Sequence, residues 1–259
     1  AGYAVSTGTS NTLIGGLAGD AITTSGNHVA IGANALSAVT TVGSLTAVGA
    51  DALKLNQAGY GNTALGTTTL AQNVSGNNNT AVGQNALTAN TTASNNTAVG
   101  QNALAANTEG FSNTAFGSRA GDAITTGDYN TAVGNLALSA DTTGAGSVAI
   151  GHAALTTQNS SDSSNMYNTA VGNEAGTGIT TGPRNSSVGY RTLASTTTGY
   201  YNTAIGYQAG DDITDGFKNI CIGHDADISA GGNQHTIVIG ESITAASNDF
   251  SFGKASNVV

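Results

Sequence analysis

The chain has 259 residues, 37 of them glycine, with one proline, one cysteine, no tryptophan, only 8% charged residues and a net charge of −9. One cysteine excludes a disulfide scaffold, and six Lys and Arg against fifteen Asp and Glu give no basic patch for nucleic acid. No apolar run reaches the length of a membrane helix, while 39% hydrophobic content at modest net charge argues against disorder.

Residues 1–10 read as a lead-in segment. Ala1-Gly2-Tyr3 opens without an initiator Met or a basic-then-apolar signal, as expected of a processed chain or the ordered part of a longer one. From residue 11 a phrase close to Asn-Thr-Ala-Val-Gly recurs. Its closing glycines are Gly15, Gly32, Gly49, Gly66, Gly83, Gly100, Gly117, Gly134 and Gly151, each 17 residues after the last. Four further residues lie before Gly172, near 158–167. The period of 17 then returns through Gly189, Gly206, Gly223 and Gly240, and Gly253 ends the series after 13. Residues 254–259 form a tail expected to lead toward a further module.

A repeat of this length is the mark of a stacked architecture. Thr-Ala-Val is short, alternating and partly β-branched, which suits a strand, and glycine after it permits a sharp change of direction. Glycine, threonine and asparagine throughout make a helix unfavourable, and the chain has no Asn-Gly hairpin signal. The expected fold is all-β: a parallel β-solenoid or β-roll with 17-residue coils over residues 11–253, like residues stacked coil on coil.

Columns aligned on the closing glycine suggest roles. One residue before it stand Ile31, Val48, Val82, Val99, Val133, Ile150, Val171 and Ile205, expected to form the core. Two before it stand Ala81, Ala98, Ala115 and Ala132, expected to form a subunit interface, because small residues let neighbouring backbones pack closely. Four before it stand Asn62, Asn79, Asn96, Asn113 and Asn130, expected to form a hydrogen-bonded ladder. After the glycine, Ala-Leu follows at three and four residues in one type of coil, as in Ala86-Leu87 and Ala103-Leu104. In others glycine takes the leucine's place and isoleucine arrives three residues later, as with Gly121 and Ile124. A core of about two large residues per coil is thin for one chain, so a homotrimer around an axis parallel to the solenoid is expected.

The phrases His28-Val-Ala-Ile-Gly32 and Ser147-Val-Ala-Ile-Gly151 resemble the head repeats of trimeric autotransporter adhesins. Asn79-Thr-Ala-Val-Gly-Gln-Asn-Ala-Leu87 resembles the repeat shafts of bacteriophage tail fibres and related trimeric surface fibres, and Phe252-Gly-Lys-Ala-Ser-Asn-Val-Val259 the segment that leads into their self-cleaving chaperone. The resemblance implies a trimeric β-roll, a structural and adhesive role, and an extracellular place on a virion tail fibre or cell surface. A host glycan or receptor would be the partner, with no nucleic acid and no membrane insertion.

No motif for catalysis or phosphate binding stands out, and the chain is expected not to be an enzyme. No cofactor is expected. Calcium is the cation that Asp211, Asp212, Asp215, Asp225 and Asp227 would suit, as hard oxygen ligands. His152 and His224 share a column but lie four coils apart, too far for one metal. Cys221 stands in the alanine column and reads as a small buried hydrophobe. Tyr129, Tyr167 and Tyr201 share one loop edge, and Tyr190 and Tyr207 another, as sugar-gripping or subunit-contact groups. The alternative function is a surface-binding solenoid for ice or glycan, suggested by the threonines from Thr46 to Thr131. The insert at 158–167, around Asn159 to Asn165, reads as a polar surface loop that leaves the stack intact.

Overall fold

The computed structural model describes residues 1–160 and 165–254. The chain is an all-β parallel β-solenoid with coils of about 17 residues and no helix among the described residues. It divides into two compact units, Ala1–Tyr129 and Asn130–Val259.

The first unit carries strands β1 (Thr12–Ile14), β2 (Val29–Ile31), β3 (Thr46–Val48), β4 (Thr63–Leu65), β5 (Thr80–Val82), β6 (Thr97–Val99) and β7 (Thr114–Phe116). Each pairs in parallel with the next at a constant offset: Thr80 faces Thr97, Ala81 faces Ala98, and Val82 faces Val99. The second unit continues with β8 (Thr131–Val133), β9 (Val148–Ile150), β10 (Thr169–Val171), β11 (Ser186–Val188), β12 (Thr203–Ile205) and β13 (Ile220–Ile222). It ends with β14 (Asp227–Ile228), β15 (Ile237–Glu241), β16 (Thr244–Ala245) and β17 (Phe250–Lys254). Across the insert Val148 still faces Thr169 and Ile150 still faces Val171, so the extra residues leave the columns in step. Residues 161–164 of that loop and 255–259 of the tail lie outside the described residues.

The glycine after each strand is fixed by space as well as by dihedral angle. Gly83 has φ +122°, and a Cβ there would lie 2.6 Å from the Gly100 carbonyl oxygen of the next coil. Core leucines Leu87 and Leu104 take left-handed φ values near 50°. That conformation costs a non-glycine residue roughly 1–2 kcal/mol, set against the roughly 1.5–3 kcal/mol from burying each leucine side chain.

The interior corrects the expected faces. Ala81, Ala98, Ala115 and Ala132, assigned to a subunit interface, are buried inside their own coils. Ile31, Val48, Val82, Val99, Val133 and Val171, assigned to the core, are half-buried on the outside, and Ile150 and Ile205 are exposed. Alternation places Thr and Val opposite Ala but is silent on which side faces in. Width decides it. The leucine or isoleucine from the opposite wall fills the middle of each coil and leaves room for only a methyl: around Gly210, Leu193 Cδ2, Ile213 Cδ1 and Ala204 Cβ converge within 2.9–3.3 Å of where a Cβ would stand. At Gly121 the Ile124 Cδ1 fills the vacated leucine space, 3.0 Å from a notional Cβ.

The asparagines four before each glycine are interior and bonded along the stack. Oδ1 of Asn62 accepts the Asn79 N–H at 2.9 Å, Asn79 accepts that of Asn96 at 3.0 Å, and Asn96 that of Asn113 at 2.8 Å. Their Nδ2 groups donate to turn carbonyls, as Asn62 does to Gly76 at 2.7 Å. In the second unit Asn130 Oδ1 accepts the Ser147 N–H at 3.0 Å, and its Nδ2 donates to the Gly144 carbonyl at 2.8 Å. These contacts are side chain to backbone, which satisfies buried turn groups that have no strand partner; farther along, Asn202 and Asn219 also donate Nδ2 to the Oδ1 of the preceding coil's asparagine, both at 3.1 Å.

Candidate interaction surface

With alanine inside, the threonine and valine columns form the outer face of the sheet. Side chains two residues apart on a strand share this face, and successive coils repeat it at roughly 4.8 Å. Its most exposed large apolar members are Ile14, Leu65 and Phe116 in the first unit, at 57%, 47% and 58%, and Phe250 and Phe252 in the last strand, at 65% and 55%. Toward the end of the second unit both positions become large and apolar, Ile220 with Ile222 and then Ile237 with Ile239. A half-exposed apolar column running from strand to strand exceeds the scattered hydrophobics of an ordinary monomer surface.

In the second unit this face is edged at both ends of its strands. Past the closing glycine Tyr190, Tyr207 and His224 stack, with ring centroids 5.3 and 5.0 Å apart and planes 25° and 9° from parallel. Before the strands, Tyr200 and Phe217 stack at 4.9 Å and 3°, and the Arg184 guanidinium lies 5.3 Å from the Tyr201 ring centre while donating to its hydroxyl at 3.1 Å. Tyr167 faces the same guanidinium at 6.0 Å. Tyr129, at the end of the first unit, meets Phe111 edge-on at 4.9 Å. Sequence columns pair Tyr190 with Tyr207. They do not signal Arg184 between two tyrosines, because a cation in an aromatic column looks like a break.

Of the five aspartates weighed for calcium, the structure brings Asp211, Asp212 and Asp227 together, their ligand oxygens within 4.8 Å of one another; Asp215 and Asp225 stand outside the group. Asp227 is buried at the position where other coils carry the core leucine, four after the closing glycine. Its Oδ2 accepts the Asp212 N–H at 2.9 Å and its Oδ1 the Ile228 N–H at 2.7 Å. Burial first, and then the hydrogen bond with Asp211, push its pKa up to about 7. The group is thus built to hold a proton on a satisfied carboxyl. Cys221 is buried beside it, and desolvation, with the Asp227 charge as the lesser cause, raises its thiol to about 12, far from a nucleophilic thiolate.

His28 stands in the buried asparagine column. Its Nε2 shares a hydrogen bond with the Ser25 hydroxyl at 3.0 Å, its backbone N–H reaches Asn11 Oδ1 at 3.1 Å, and its Nδ1 has no partner. Burial holds its pKa below the ordinary 6.5, partly offset by the Val42 carbonyl. His152 and His224 sit at the outer edge of the face, and His235 meets Phe217 edge-on at 5.4 Å. An open cavity of about 320 Å³ lies in a shallow groove beside Asp51, Lys54 and Leu55 on the first unit, where the Lys54–Asp51 ion pair at 3.2 Å occupies the charged groups.

No protein-family model and no curated protein matches this chain. Among the described residues no helix is long and apolar enough to cross a membrane. The geometry of the faces therefore carries the functional reading.

Proposed function

We propose that the chain is a structural fibre or adhesin shaft, three copies of which turn their threonine–valine faces to a common axis and form a rigid rod for attachment on a phage or cell surface. The observation that carries this reading is the half-exposed column Val48, Val82, Val99, Val133 and Val171 with its Leu65 and Phe116 knobs. Apolar side chains of this size gain roughly 25 cal/mol per Å² when covered, and a second copy presents the same period. Dense hydrogen bonding between coils suits a rod that resists proteolysis outside the cell, and a host glycan or receptor is the partner such a rod would carry its owner toward.

Sedimentation velocity or light scattering tests it. Assembly at three times the 25.2 kDa of one chain is expected, and a stable monomer would overturn the reading. Val99→Asp separates folding from assembly. It places a charge on the outer face, so copies should dissociate while strand content by circular dichroism persists.

A second reading rests on Thr63, Thr80, Thr97 and Thr114, an outward hydroxyl rank at strand spacing that would suit ice. Leu65 and Phe116 protrude from the same face and spoil the flatness an ice plane requires. Inhibition of ice recrystallisation by the wild type would favour that reading.

A further inference from the structure

We infer that the two ends of strands β10–β13 form the seam between neighbouring copies, the Lys218 end of one copy meeting the Asp225 end of the next. The inference rests on the self-association proposed above and specifies the contact that closes it. A ring of three is built from heterologous contacts, so each copy must carry two different patches that fit one another. The two edges of the outer face in the second unit are such a pair. They flank the same strands at opposite ends, and turning those strands toward a shared axis brings one copy's leading edge against its neighbour's trailing edge.

Charge complements the geometry. The chain has six Lys and Arg. Lys54, Arg119, Arg191 and Lys254 each have a carboxylate within their own chain, at 2.7–3.7 Å. Among the described residues Arg184 and Lys218 form no ion pair, and both stand five residues before a closing glycine, on the leading edge. On the trailing edge the half-exposed Asp225 pairs only with the His224 ring, at 3.0 Å, a counter-charge only when that ring is protonated. Arg184 meets the Tyr167 and Tyr201 rings and the Tyr201 hydroxyl, and Lys218 lies 6.0 Å from the Phe217 ring centre. The leading edge thus offers cations with no carboxylate partner among the described residues and the trailing edge an under-answered anion at the same height, since Lys218 and Asp225 bracket the same strand, β13.

The rings select the occupant. A sugar lies against a free aromatic face. Tyr207 has one face against Tyr190 and the other against His224, and Phe217 has Tyr200 stacked on one side. What Tyr207 leaves outward is its edge, and edges pair with rings of a second rank in edge-to-face contacts. A second copy supplies such a rank; a glycan does not.

The test uses the full chain with Cys221→Ala, alanine being the usual residue of that column. Lys218→Cys and Asp225→Cys are introduced singly and together, light scattering records the assembly state, and a short bis-maleimide links thiols before denaturing electrophoresis. A covalent trimer from the double variant, with each single variant left as monomer, is the expected result. An assembled double variant that stays monomeric on the gel overturns the seam and leaves the assembly standing. A monomer by light scattering for the Cys221→Ala parent, which keeps both charges, sinks both, and cross-linking of either single variant also overturns the seam. A charge exchange gives an independent readout: Lys218→Glu should weaken assembly about tenfold or more, and adding Asp225→Lys should restore it. Failure of that rescue in a folded protein counts against the seam.

Discussion

Seven residues after the closing glycine, the first unit carries Asn56, Asn73, Asn90 and Asn107 in four successive coils, all fully buried. From the second on, each Nδ2 reaches back to the Oδ1 of the coil before, Asn73 to Asn56 and Asn90 to Asn73 at 2.7 Å and Asn107 to Asn90 at 3.2 Å. In the second unit the same column reads Asp141, Gln158, Ile179, Thr196 and Ile213. There Gln158 bridges Asp141 at 2.5 Å and Asn168 at 2.8 Å, and the apolar members stand in for missing leucines. The difference shows that one coil shape accepts either a continuous amide ladder or a packed isoleucine, and that the switch between them leaves a loose end. Asn107 Oδ1 is buried without a partner because the next coil supplies Ile124 where an amide should donate, and Thr196 Oγ1, between Ile179 and Ile213, is stranded in the same way.

What the units share should be hit equally hard. Ala98→Asp in the first and Ala204→Asp in the second each put a charge inside a coil, where an uncompensated charge costs several kcal/mol. Loss of the cooperative melt is expected for both. Survival of either would mean that the alanine column is not the interior of that unit.

The ladder should be a property of the first unit alone. Asn90→Ala strips a donor from Asn73 and an acceptor from Asn107, at a cost of about 2–3 kcal/mol. Hydrogen exchange should speed up in the first unit and stay unchanged in the second. A uniform response would dissolve the distinction.

The two coil types should also interconvert. Gly121→Leu alone collides with Ile124, and Ile124→Asn alone leaves a hole, but together they rebuild the ladder type and give Asn107 Oδ1 its donor. The double variant should be more stable than the sum of the singles by about 1–3 kcal/mol. Plain additivity in denaturant melts would mean that the two coil types do not exchange as units.

The smallest effects are in pH, and they run in opposite directions. Folding favours neutral Asp227, whose pKa is raised from 3.8 to about 7. Its stabilising contribution is therefore complete below the unfolded value and lost as pH rises through about 7. Folding also favours neutral His28, whose pKa is lowered from 6.5. Here stability is complete above 6.5 and lost as pH falls below it. Melting followed from pH 4 to 9 should therefore flatten on the alkaline side in Asp227→Asn and on the acid side in His28→Asn, asparagine being the usual residue of the His28 column. Unchanged profiles in both variants would show that neither group couples folding to pH.

Much of the architecture was legible in the residues. A constant period of 17 forces like onto like, because parallel strands pair residue by residue and any slip would turn Ala outward. The exchange of Leu for Gly plus Ile was visible for the same reason, since Gly121 and Ile124 differ from their neighbours at fixed offsets. The Asn56–Asn107 ladder was missed although its column was there to read. It lies in a turn, where asparagine is the ordinary residue and gives no sign of burial. Asp227 was readable as an acid in the leucine position, but its proton comes from burial and from Asp211, which the fold brings across one coil. Above all, the tertiary structure alone decided which face of Thr-Ala-Val turns inward. Alternation is symmetric between the two faces, and the choice is made by volume: once Leu87, Leu104 and their counterparts cross the coil, only alanine fits against them, and valine is left outside for another surface to cover.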